Sequence, residues 1–238
     1  MTGRRTGFSS YDCTMPGRDI SQWLQDFFPA ITASGGWGGD PCWIAWAKTQ
    51  DAEHNPPFFW LGLALDTVEE AGLSDWFRER VRAAHGPGSC RGQHGSDGRA
   101  QDVLTEVCAF TWALNRLGEP RIEPLSEGPP ELVAIRLYVP EHETYIKPRR
   151  LRPQTRMDLV IEDVAAAAEE AAEALPSEAG RILYADIWHE RWYHENVGYR
   201  LDLTEPVHAA VRHFASDHRL GHVLTRPYEW GRPIEASY

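Results

Sequence analysis

The chain has 238 residues, 42% hydrophobic and 25% charged, with a formal net charge of −11 at pH 7. These are globular proportions, and a chain of this length can bury roughly 70% of its unfolded surface, so disorder is excluded as a default and no disulfide or metal is needed to fold it. The negative balance excludes a protein that coats nucleic acid by bulk electrostatics, while leaving room for a local basic site.

The first 84 residues read as a mostly helical, tryptophan-rich part. Ile20, Trp23, Leu24, Phe27 and Phe28 recur at helical spacing behind Asp19 or Ser21 as N-cap, and Ser74 caps a second helix carrying Trp76, Phe77 and Val81. Between them SGGWGGDP is a turn, lacking the Lys-Ser/Thr of a P-loop and the order of a dinucleotide turn. Seven of the ten tryptophans, Trp23 to Trp112, lie before the midpoint, where large aromatics supply core area or line a pocket. Residues 85–99 are a polar, glycine-rich loop and form the expected boundary with an α/β domain at 100–238.

Beyond that loop the order sharpens. Residues 100–117 form an amphipathic helix with Val103, Leu104, Val107, Phe110, Leu114 and Leu117 on one face and Gly118 as its stop. Strands are expected at Arg121–Leu125, at Glu131–Val139 between two prolines, and at Thr144–Lys147, ended by Pro148. An alanine- and glutamate-rich helix spans 158–175, and Arg181–Trp188 suits a strand buried on both faces. A polar strand at Val197–Leu203, a helix at Pro206–Ser216 and a strand at His222–Thr225 complete an α/β fold around a central mixed sheet.

From residue 100 the order is α-β-β-β-α-β. With Glu106 on the first helix, Pro130-Glu131 opening the second strand and Glu143-Thr144-Tyr145-Ile146-Lys147 on the third, the chain resembles the restriction-endonuclease-like superfamily with its PD-(D/E)xK signature. The resemblance covers about residues 100–188 and implies a nuclease in which Glu106, Glu131 and Glu143 hold Mg²⁺ against a scissile phosphate while Lys147 assists the attacking water. Two departures stand out: glutamate replaces the aspartate of the proline–acid pair, and acid and lysine are four residues apart instead of two. Positions 143, 145 and 147 share a strand face provided the strand begins by Glu143. A degenerate member would bind without cutting.

Lys147, Arg149, Arg150, Arg152 and Arg156 form a cationic run without an intervening acid. It reads either as a phosphate-gripping patch or as a solvated loop paired with the acidic helix that follows, and Gln154 and Arg156 join the site only if this loop reaches the strand edge. Histidine-centred metal sites fit poorly. His208 and His213 diverge by about 140° on a helix, His189-Glu190 and His194-Glu195 are one residue too far apart for HExxH, and Cys90 with His94 lacks a second ligand pair. Cys108 reads as inert, close to a buried helix face.

The absence of a long apolar run and of an export signal argues for no membrane partner, a cytoplasmic location and reduced thiols at Cys13, Cys42, Cys90 and Cys108. Two readings stand beside the nucleic-acid one: a non-catalytic protein-interaction module, and a small-molecule enzyme with an aromatic pocket from Trp37, Trp43 and Trp46.

Overall fold

The computed structural model describes residues 65–84, 99–118, 120–124, 135–140, 143–151, 157–186, 201–225 and 233–237. The expected helix at 20–28, the SGGWGGDP turn, residues 85–98 of the expected 85–99 loop, and Glu131 to Ala134 lie outside them, as do Trp37, Trp43, Trp46 and residues 187–200, whereas Arg99 opens a helix.

Helices α1 (Ser74–Ala84) and α2 (Arg99–Leu117) precede strands β1 (Arg121–Pro124), β2 (Ile135–Val139) and β3 (Thr144–Arg150). Then come α3 (Met157–Ala174), β4 (Gly180–Asp186), α4 (Leu201–Asp217), β5 (Gly221–Thr225) and β6 (Pro233–Ser237). The six strands lie side by side in chain order in one mixed sheet. Strand β2 is antiparallel to β1 and β3, the β3–β4 and β4–β5 pairs are parallel, and β6 returns antiparallel to β5. Parallel neighbours need crossovers, and α3 and α4 supply them.

Helix α2 packs on β2 and β3 and receives α1 on its outer side, while α3 and α4 pack on each other and on β4 and β5. Register and the two-residue strand repeat assign the faces. Tyr184 meets Trp112 of α2. Ile182 shares its face, pairs with Ile146, and Ile146 pairs with Leu137. Leu137, Val139, Ile146, Ile182 and Tyr184 therefore line the α2 side. Leu151, Leu183, Ala185 and Leu224 form the opposite core with Val160, Val164, Ala167, Ala168 and Ala171 of α3 and Val207 and Val211 of α4. The small side chains of the alanine run let the two crossover helices approach closely, and this burial, more than propensity, holds them in place.

Three local readings change, and one strand is new. Helix α2 is not two-faced: Thr105 through Phe110 are all buried, because it lies between sheet and α1. Strand β3 runs through Pro148 to Arg150. The β2 pairing stops at Ile146, so the missing Pro148 N–H falls where no β2 partner is paired. Residues 201–203 open helix α4 instead of a polar strand, and the helix starts five residues before Pro206. Leu201 and Leu203 fit strand alternation over too short a run to outweigh the helical stripe of Val207, Ala210, Val211 and Phe214. Strand β6 had no sequence-based expectation.

Helix ends follow known chemistry. Gly118 takes φ 110° just past α2. The helical residues 65–70 end in Gly72 at φ 73°, with Gly72 N–H on the Glu69 carbonyl and Leu73 N–H on the Val68 carbonyl. Helix α4 closes in the same Schellman pattern, with Arg219 at φ 56° in the glycine position and Leu220 N–H on the Ala215 carbonyl. Arg181 donates to the Ala172 carbonyl at 3.2 Å and the His218 carbonyl at 2.9 Å, a cation set at the carboxyl ends of α3 and α4.

Candidate functional site

The buried charges gather between α1, α2 and the ends of the parallel strands. Asp102, Thr105 and Glu106 share one side of α2 through the i, i+3, i+4 repeat. Arg80 of α1 donates Nε to Glu106 Oε2 at 3.1 Å and a terminal guanidinium nitrogen to Oε1, a two-pronged pair. Arg150, last in β3, donates Nε to Asp102 Oδ1 at 2.7 Å. Asp186, last in β4, accepts from Thr105 Oγ1 at 2.9 Å and from Thr225 Oγ1, last in β5, at 3.3 Å.

The electrostatics of this cluster are set by burial. Desolvation raises the Glu106 carboxyl from 4.5 to about 7, against the pull of Arg80 and with a further push from Asp102. Burial also raises the Tyr184 phenol well above its usual value, with Cys108 and Asp186 adding to the rise. Among the described residues the Tyr184 hydroxyl has no hydrogen-bond partner, and Thr225 pulls its pKa back only in part, at a geometry short of a hydrogen bond. Lys147 is lowered by desolvation, with Glu170 opposing.

The sequence candidates divide among different environments. Glu106 is buried and engaged by Arg80. Glu143 is exposed at φ 45° in the turn before β3, one residue short of the strand, so it does not share the alternation of Tyr145 and Lys147. Its carbonyl accepts from Gly180 N–H, at the first residue of β4, whereas Thr105, beside Glu106, bonds Asp186 at the last. The ends of a seven-residue strand lie about 20 Å apart. Glu106 and Glu143 therefore do not share a centre, and Glu131 lies outside the described residues. Among those residues no group of three His, Cys, Asp or Glu side chains is placed to hold a metal ion.

Lys147 is nearly fully buried on the α3 side and donates to Glu170 Oε1 at 2.7 Å. Arg149 lies 3.5 Å from Asp163 and 3.7 Å from Glu170, both on α3. Of the cationic run, Lys147, Arg149 and Arg150 are thus matched to carboxylates, the first two by the acidic helix that follows; Arg152, Gln154 and Arg156 lie outside the described residues. His208 is buried and His213 is exposed beside Asp217, as divergent helix positions require. Cys108 is buried. His189, His194, Cys90 and His94 lie outside the described residues.

Asp102, Asp186, Arg80 and Glu170 escaped the sequence reading. Asp186 had a legible signal, a lone acid closing the apolar run RILYAD. The others look like ordinary helix-surface charges until packing brings their partners to them. Among the described residues no helix is long and apolar enough to cross a membrane. No family model, no curated protein and no solved structure matches this chain.

Proposed function

We propose that this chain is a restriction-endonuclease-like protein that binds nucleic acid and whose cleavage centre is degenerate. One observation carries the reading: α2, β1, β2, β3, α3 and β4 follow in the αβββαβ order, with their four strands adjacent in one sheet. The occupied side chains speak for binding without cutting. Glu106 is committed to Arg80 and Lys147 to Glu170, so neither is available to a metal or a water without breaking a buried ion pair.

The test incubates the folded full-length chain with single- and double-stranded DNA and RNA in Mg²⁺ and reads fluorescence anisotropy and product gels in parallel. Binding at low salt without product is the expected result. Failure to bind any of the four overturns the proposal. Cleavage that disappears in Glu131→Ala overturns the degenerate centre and restores Mg²⁺ chemistry.

A second reading, a non-catalytic protein-interaction module, is favoured by the neutralised state of Lys147, Arg149 and Arg150, whose charges face carboxylates before any phosphate arrives. It predicts no nucleic-acid binding at any salt concentration.

A further inference from the structure

The β1–β2–β3 part of the sheet has two unlike faces. Leu137 and Val139 point toward α2 and are fully buried. Alternation sends Arg136 and Tyr138 to the other face, together with Tyr145 of β3, which pairs with Tyr138, and Arg121 of β1, which pairs with Tyr138 from the far side. Among the described residues the helix packed on β2 is α2, on the opposite face, while α3 and α4 lie over β4 and β5, with Asp163 and Glu170 of α3 reaching Lys147 and Arg149 farther along the Tyr145 face of β3. Arg136, Tyr138 and Tyr145 are half-buried and Arg121 is exposed.

The side chains on this face are ordered against one another. The Tyr138 and Tyr145 rings lie with centroids 4.9 Å apart at 34°, and the Arg136 guanidinium carbon sits 5.5 Å from the Tyr145 centroid. We infer that this face is a stacking platform for the unpaired bases of a single-stranded nucleic acid. The inference rests on the nucleic-acid reading above and names its substrate class.

Three physical points select that occupant. Tyrosine rings on adjacent strands offer flat π surfaces to any base without reading its edge. A guanidinium over one ring extends the stack and carries the positive charge that a neighbouring phosphate complements, with Arg121 a strand away for the next phosphate. A docking helix or a second copy would call for an apolar carpet, whereas Arg121, Arg136, Tyr138 and Tyr145 each end in a hydroxyl or a guanidinium. A duplex is disfavoured because its bases are already stacked and paired. Register pairs Glu123 with Arg136 along the backbone, and stacking outweighs charge.

The experiment is fluorescence anisotropy of the full chain with labelled single strands of DNA and of RNA, about 15 nucleotides long to cover one site, and with the matching duplexes, in EDTA. Single strands are expected to bind at least about tenfold tighter than duplexes, with Tyr138→Ala and Tyr145→Ala each weakening single-strand binding about tenfold. The affinity should fall with salt at a log–log slope of magnitude about 1 to 2, as for two phosphate contacts. Tyr138→Phe and Tyr145→Phe keep the ring and should bind as wild type. Tyr138→Leu keeps the apolar bulk, loses the ring and should bind as the alanine variant, which covers the case of an alanine variant that does not fold. Unchanged single-strand affinity in Tyr138→Leu or Tyr138→Ala at wild-type melting temperature overturns the platform. Duplex binding that ignores both tyrosines removes the platform and leaves the nucleic-acid reading standing; binding to no strand of any kind removes both.

Discussion

Glu106 is the residue at which burial and pairing pull hardest in opposite directions. Its folded value of about 7 stands above the unfolded value near 4.5, so the native state holds the proton more tightly than the unfolded chain does. The stabilisation this gives is fully present below about 4.5 and is lost as pH rises through about 7. Urea denaturation from acid to mildly alkaline pH should show wild type losing stability across that window relative to Glu106→Gln, which cannot titrate. Parallel curves for the two proteins would refute the assignment. Once ionised, the carboxylate depends on Arg80, so Arg80→Met should cost about 3 kcal/mol at alkaline pH and distinctly less in acid. Beside Glu106 are Arg80 from α1 and Asp102 from its own helix, while Lys147, on the α3 side of the sheet, adds a weaker attraction, and only the two cations favour its ionised form.

At the scale of elements, helix ends and crossovers decide the architecture. Helix α4 terminates with a non-glycine residue in the left-handed region, Arg219 at φ 56°. A side chain there costs roughly 1 kcal/mol against glycine. Arg219→Gly should therefore raise stability by about 1 kcal/mol, whereas Arg219→Ala, which keeps the Cβ, should not. Thermal or chemical melts of the two variants compare them directly; equal shifts would mean the capping geometry is not what limits this end. Strand β3 shows the same logic in reverse. Its proline is tolerated mid-strand because the neighbouring ladder has already ended.

Over the whole molecule, the charge of −11 opposes the approach of any polyanion. Association with single strands should be slower than about 10⁶ M⁻¹s⁻¹, and its rate should hold steady or rise between about 50 and 200 mM salt as the repulsion is screened. Stopped-flow anisotropy reads this. A rate that drops steeply with salt would reveal long-range attraction and point to a basic surface beyond Arg121 and Arg136. The same global balance explains why Lys147 and Arg149 meet acids within the fold: a chain with 35 acidic and 24 basic residues places a carboxylate near almost any cation that packing buries.

Much of the element order was legible from residue 100 onward, since it depends on local signals: the α2 stop at Gly118, the alanine–glutamate run of α3 closed before Pro176, and the apolar run of β4. The α/β class with a mixed sheet followed from that order. Locality also marks where it failed, at Pro148 and at Leu201–Leu203, where neighbours several strands or turns away outvote a short pattern. The site was less legible. Glu106, Glu143 and Lys147 could be picked out as charges, but whether a charge meets a metal, a phosphate or another side chain depends on contacts between residues far apart in the chain. Arg80 reaches Glu106 across 26 positions, and Thr105 reaches Asp186 across 81. Composition set what kinds of side chain were available, and the packing of α1 and α2 on the sheet chose their partners, because a buried charge is tolerable only where the fold brings its counterpart.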